Sequence, residues 1–180
     1  MYALSEEEWC DFSAIWQLHQ YKRKTTLTAA GETERYLYFV LEGIQRAFFI
    51  DARHEATLVF TYPYCFSGIA DSFLTQLPSR YYLETLTSST LLRTTHTQLQ
   101  QLMDKHRNIE KMIARFTSFS LMGVLERHVE LLTYSAEEKF RTLLKRSPHV
   151  LQLIPHKYLA SYIGIDATTF SKLMATIRID

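Results

Sequence analysis

The sharpest chemical pattern in the chain lies near its C-terminal end. It runs Pro155-His-Lys-Tyr-Leu-Ala-Ser-Tyr-Ile-Gly-Ile-Asp-Ala-Thr-Thr-Phe-Ser-Lys-Leu-Met-Ala-Thr-Ile177. Leu159, Ala160, Ile163, Ile165, Phe170 and Leu173 are spaced to pack two short helices, Ile154–Ile163 and Asp166–Ile177, across each other. Gly164 supplies the turn between them, and the Asp166 carboxylate is placed to accept from the free N–H groups of the second helix. The outer face of that helix then carries three hydroxyls and one ammonium: Thr168, Thr169, Ser171 and Lys172. Such groups bond phosphate oxygens and base edges. A helix-turn-helix that lays its second helix in the DNA major groove uses this arrangement, and an ordinary helical hairpin fits it equally well. No Arg or Gln stands on the face to pair bidentately with guanine or adenine, and Arg178 lies just past the helix.

Other chemistries find little footing. Cys10 and Cys65 are too few for a zinc or iron–sulfur ligand set, and their unrelated contexts favour two free thiols over a disulfide. The seven histidines, His19, His54, His96, His106, His128, His149 and His156, lack metal-type spacing. No nucleophile elbow, P-loop or His-Glu-x-x-His motif is present, so neither catalysis nor a cofactor or metal is expected. Glu6-Glu7-Glu8 reads as an acidic first helical turn. The apolar runs, such as Leu37–Leu41, are far short of the ~20 residues that cross a bilayer, and the acidic start MYALSEEEW does not suit a secretory signal. A cytoplasmic protein without a membrane partner is the expectation.

The elements that must position the C-terminal pair follow from pattern. The 180 residues are 47% hydrophobic, enough to bury a core and too many for a disordered chain. Residues 1–135 carry 13 Lys+Arg against 15 Asp+Glu, and residues 136–180 carry 7 against 4, so only the C-terminal part is basic, and mildly. Ser5 and Glu8 form a capping-box pattern ahead of a helix over 5–18 with Trp9, Phe12, Ile15 and Trp16 on its face. From Tyr21 to about Thr95 the pattern is β. Tyr36–Glu42 and Ile44–Ile50 read as two strands joined hairpin-fashion at Glu42-Gly43. Ala56–Tyr62, Arg80–Leu86 and Thr90–Arg93 follow, and short strands at this spacing indicate an antiparallel barrel or sandwich. Residues 67–79 read as a short helix and a loop. Beyond Thr97 the chain is helical: 97–106, then a long helix over 108–134 with Asn108 as its cap, then 135–146. Met112, Phe116, Phe119 and Val124 are among more apolar positions than one stripe of the long helix accommodates, so it must bury a second face, for example on a partner chain.

This order, with Tyr36-Leu-Tyr-Phe-Val-Leu-Glu-Gly43, Ser72-Phe-Leu-Thr-Gln-Leu-Pro-Ser-Arg80 and Tyr158-Leu-Ala-Ser-Tyr-Ile-Gly164, resembles the Crp–Fnr family of bacterial transcription regulators, in the form common in Bacteroidetes-type bacteria. The resemblance covers nearly the whole chain. It implies an α+β fold: an antiparallel β-roll of the cyclic-nucleotide-binding, cupin-like jelly-roll type over 1–107, a dimerisation helix over 108–134, and a helix-turn-helix domain over 135–180 without a complete wing. Family members that bind cyclic AMP hold its phosphate in a cassette with a Gly-Glu pair and, about ten residues on, an Arg-Ser pair. The Arg neutralises the phosphate, the Ser and backbone N–H groups bond it, and the Glu bonds the ribose hydroxyl. Here Gly68 matches, Ile69 replaces the Glu, and the later pair is reversed as Ser79-Arg80. A one-residue shift turns a side chain to the opposite face, so Arg80 is expected to leave the pocket. The family's polar contacts from the long helix fall near Val124, which is apolar. The expectation is a homodimer on double-stranded DNA, with Met112, Phe116 and Phe119 at its interface. Its effector pocket is expected to be degenerate for cyclic AMP, though open to an unidentified small molecule. The other reading is a ligand-binding or scaffold module with a vestigial helix-turn-helix, which the near-neutral charge favours.

Overall fold

The computed structural model describes residues 4–177; Arg178 and the two residues after it lie outside the described residues. The chain begins with helix α1 (Glu6–Ala14), closed by the Ser5/Glu8 capping box: the Glu8 N–H donates to Ser5 Oγ at 3.2 Å and the Ser5 N–H to Glu8 Oε2 at 2.8 Å. The helical spacing of apolar residues runs on past this helix, but Gln17–Tyr21 is already strand β1. Trp16 turns instead onto Phe66, with ring centroids 6.0 Å apart. Burial against the sheet overrides the local period.

Seven further strands follow: β2 (Thr26–Thr28), β3 (Tyr36–Glu42), β4 (Gln45–Ile50), β5 (Glu55–Thr61), β6 (Phe66–Ser67), β7 (Tyr82–Thr85) and β8 (Ser89–Thr95). They form two four-stranded antiparallel sheets in the orders β1-β8-β3-β6 and β2-β7-β4-β5, a jelly roll. This corrects the hairpin expected at Gly43. β3 pairs with β6 and β8, β4 pairs with β5 and β7, and the chain changes sheet between β3 and β4. It changes back between β7 and β8 at the same corner. Gly43, at φ +91°, is required there: a Cβ on it would stand 2.3 Å from Ser89 Oγ and 2.6 Å from the Ser88 carbonyl. The hairpin of the second sheet is β4–β5, whose turn is closed by Asp51 Oδ1 accepting from the N–H groups of Arg53 and His54 at 2.7 and 2.8 Å. Tyr38, Val40, Ala47, Ile69, Leu83 and Leu91 fill the space between the sheets.

Helix α2 (Ala70–Thr75) interrupts the strands. Then come α3 (His96–Lys105), capped by Thr95 and Gln98, and α4 (Arg107–Thr133). α4 begins one residue before the expected start. Asn108 is therefore inside it, and His106 stands at the N-cap position without a side-chain cap bond. α5 (Ala136–Arg146), α6 (Val150–Leu153), α7 (His156–Tyr162) and α8 (Ala167–Thr176) complete the described chain. The first helix of the C-terminal pair is shorter than expected because Ile154 ends the separate turn α6, and the chain re-enters a helix only after Pro155.

A second core joins the two halves of the chain. Ile44, Phe60 and Leu86 of the roll pack with Phe140, Leu143, Leu144, Val150, Ile154, Leu159, Ala160, Ile163 and Phe170. α7 is thus seated on the outer side of the β4–β5 sheet. Arg46, on β4, is 1% exposed there, its guanidinium carbon 4.0 Å from the Phe48 ring centroid and 3.9 Å from that of Tyr158 on α7. Glu55 and Glu84 balance its charge at 2.5 and 3.6 Å. Ser161 of α7 accepts from the Thr57 N–H at 2.9 Å and donates to the Glu55 carbonyl at 3.1 Å, along the outer edge of β5.

Candidate functional site

Two places in this fold carry the residues singled out by sequence. The first is the corner where β6 meets α2. Gly68 has φ +140°, and a Cβ on it would press the Tyr36 carbonyl at 3.3 Å. Ile69 is buried among the residues between the sheets. Its N–H does not face an empty space: it donates to Glu34 Oε2 at 3.2 Å. Glu34 is 1% exposed, and its carboxylate also accepts from Thr28 Oγ1 at 2.8 Å and the Tyr36 N–H at 3.3 Å. Burial pushes this carboxyl above the ordinary Glu range, against the pull of the hydrogen bonds from Thr28 and the backbone. The same burial, with Glu34 nearby, pushes the Tyr38 phenol up. Sequence reasoning missed Glu34: it sits in a polar stretch between Thr33 and Arg35, and nothing in its spacing marks it as buried.

In the segment before β7, Ser79 is buried, its Oγ accepting from the Tyr81 N–H and donating to the Tyr81 carbonyl, both at 2.9 Å. Arg80 is exposed. Val124 is 63% exposed on α4, outside the core that holds Ile69. Ile69 and Ser79 are thus buried, Arg80 is exposed, and Val124 lies apart on α4.

The second place is α7–α8. Gly164, at φ +66°, makes the turn, and a Cβ on it would meet Leu131 of α4 at 3.1 Å. Asp166 caps α8: Oδ1 accepts from the Thr169 N–H at 2.8 Å and Oδ2 from the Thr169 hydroxyl at 2.6 Å. These bonds, the side-chain one foremost, hold the Asp166 carboxyl below its usual range. They also correct the outer face expected for α8. Thr169 is half-buried with its hydroxyl committed to the cap, and Ser171 Oγ donates back to the Ala167 carbonyl at 2.9 Å. Thr168 and Lys172 are exposed, and neither side chain is hydrogen-bonded or ion-paired among the described residues. Phe170, fully buried, packs edge-to-face on Phe140 at 5.2 Å and ties the helix to α5.

Between these places runs α4. Met112 is half-buried, and Phe116 reaches Phe66 at 5.3 Å while remaining 43% exposed. Phe119, Leu121, Met122, Leu125, Val129 and Leu132 form a long exposed apolar face. One cluster with metal-ligand chemistry also forms: Glu7, Asp11 and His106 converge where α1 meets the start of α4. The Lys105 ammonium lies 2.6 Å from Asp11 and 3.7 Å from Glu7, so the carboxylates already have their cation.

Residues 18–106 match the family of cyclic nucleotide-binding domains. That stretch, from β1 to the residue before α4, is similar to a cyclic nucleotide-binding domain. Among solved structures, FixK2 from Bradyrhizobium japonicum superposes with a TM-score of 0.80 at 13% identity, over 89% of this chain and 83% of that one. A putative transcriptional regulator of the Crp/Fnr family from Eubacterium rectale superposes with a TM-score of 0.73 at 13% identity, over 96% and 82%. The catabolite activator protein of Thermus thermophilus gives 0.61 at 18%, over 98% and 88%. Identities this low establish a common fold, which extends past residues 18–106 into the C-terminal helices. No curated protein matches the chain. None of the described helices is long and apolar enough to cross a membrane.

Proposed function

We propose that the chain is a cytoplasmic, homodimeric transcription regulator of the Crp–Fnr type that reads double-stranded DNA with α8 and does not respond to cyclic AMP. The observation that carries this reading is the division of labour in α8. Phe170 and its neighbours face inward, and Thr168 and Lys172 face solvent with nothing in the chain to bond. Lys172 contacts phosphate, and Thr168, in the first turn, meets a base edge. The exposed apolar face of α4, with Phe119 and Val129, pairs with its counterpart in a second copy and sets the spacing of the two reading helices, about 34 Å for adjacent major grooves. The cassette is closed to a cyclic phosphate by the chain itself. The Ile69 N–H is taken by the Glu34 carboxyl group, which fills the place of an incoming phosphate oxygen, and Arg80 lies exposed.

The test is a titration of wild type, Thr168→Ala and Lys172→Ala against selected and random duplexes at two salt concentrations. Lys172→Ala weakens binding to all sequences alike and lowers the salt slope by about one unit. Thr168→Ala changes the preference among duplexes by about 1–3 kcal/mol per base pair. A wild-type protein without preference for any duplex transfers the reading to a scaffold with a vestigial helix pair.

A further inference from the structure

The roll, the long helix and the C-terminal helices meet at a cleft of about 70 Å³ on the side of α4 that faces its own chain. Two features mark this cleft. Its charge is unbalanced: Arg127 of α4 and Lys139 and Arg146 of α5 line it against one carboxylate, Glu130, which is ion-paired with Arg146. Lys139 has no carboxylate partner among the described residues, and the carboxylate that acts on Arg127 is the same Glu130, already paired with Arg146. Its walls are partly aromatic: the Arg127 guanidinium lies 3.4 Å from the Tyr162 ring centroid, and Tyr62 also lines the cleft. Burial works against the Arg127 charge, a cost that an anion in the cleft relieves.

We propose that this cleft is an effector site for a small oxyanion, a phosphate or carboxylate group held by the Arg127 guanidinium and the Lys139 ammonium. As an effector site it rests on the regulator reading above. The volume admits a few waters or one such group. Position gives binding a consequence. Arg127 and Glu130 belong to α4, Lys139 and Arg146 to α5, and Tyr162 to α7, where its ring packs on Phe60 of β5 at 5.2 Å. An anion that draws Arg127 and Lys139 together, and competes with Glu130 for Arg146, changes how α5 and α7 sit against the long helix. The helix pair that α8 belongs to moves with them.

The test is calorimetric titration of the full chain with sodium phosphate, and separately with sodium acetate, at fixed ionic strength. Wild type binds phosphate saturably, and Lys139→Gln, a change outside the core, weakens binding about tenfold, as does Arg127→Gln. Tighter binding of phosphate than acetate assigns the site to a phosphate group, and the reverse to a carboxylate. Absence of saturable binding by either anion, or binding that Lys139→Gln leaves unchanged, overturns the proposal. Duplex affinity is measured without either anion, so a failure of DNA binding bears on the regulator reading alone, and the calorimetry stands independently of it.

Discussion

Replacing Glu34 by alanine tests the view that the chain fills its own cassette. The carboxylate accepts from the Ile69 N–H, the Thr28 hydroxyl and the Tyr36 N–H. Alanine leaves these donors without an acceptor in a site closed to water. An orphaned buried donor costs about 1–3 kcal/mol. The Ile69 N–H gives up its bond to Glu34, the Thr28 hydroxyl can rotate, and the Tyr36 bond is long at 3.3 Å. The gross loss is then about 3–5 kcal/mol, and removal of a desolvated charge returns part of it, for a net of about 2–3 kcal/mol. For a chain of this size that lowers Tm by about 4–12 °C. The pH dependence has a definite sign. Because the carboxyl holds its proton more tightly folded than unfolded, wild-type stability falls as pH rises from the ordinary Glu range, about 4.3, to the raised value, and is flat above it. The alanine variant has no such slope, so the destabilisation is largest at the acid end and shrinks as pH rises. Urea unfolding of both proteins at one protein concentration across this pH range is the assay. A variant as stable as wild type, or a destabilisation that grows with pH, refutes the buried-carboxylate reasoning.

Phe119→Asp, on the open face of α4, dissociates the dimer in sedimentation experiments, and unchanged sedimentation removes α4 from the interface. Calorimetry with cyclic AMP gives binding weaker than millimolar, less than about 4 kcal/mol; micromolar affinity shows that Glu34 yields its place. Arg46→Ala removes two ring contacts, worth up to about 2 kcal/mol each when desolvated, and leaves Glu84 facing the half-buried sheet without its cation. A loss of about 3 kcal/mol in urea unfolding is expected, and a loss below about 1 kcal/mol shows that the guanidinium does not hold α7 to the sheet.

The roll was legible because Tyr36–Glu42 and Gln45–Ile50 are dense in aromatic and branched residues, and the α7–α8 pair because Gly164 and Asp166 punctuate it at the right places. What escaped is long-range. The pattern of Tyr36 to Ile50 shows two strands and a Gly turn, and is silent on whether the second strand pairs with the first or crosses to another sheet. Arg46 lies within the strand read over Ile44–Ile50, and nothing local marks it as the centre of a packed contact with Tyr158, 112 positions further on. Glu34 is illegible for the same reason: a carboxylate is kept buried by donors at Thr28 and Ile69 that no local period relates to it. Helical spacing puts Thr169 on the outer face of α8, and spacing does not show that a capping aspartate claims its hydroxyl.

The seat of α7 on β5 has a consequence for solubility. β5 is the last strand of its sheet, and its outer backbone groups are the kind that recruit a strand from another molecule. Ser161 covers two of them, the Thr57 N–H and the Glu55 carbonyl, while Leu58 and Val59 on the same strand stay partly open to solvent. A chain in which α7 has swung fully away presents a bare, apolar strand edge and is primed to pair with a second such edge. Large excursions of the C-terminal helices therefore carry an aggregation hazard. Movements that keep the Ser161 hydroxyl on the strand, small rotations about it, do not.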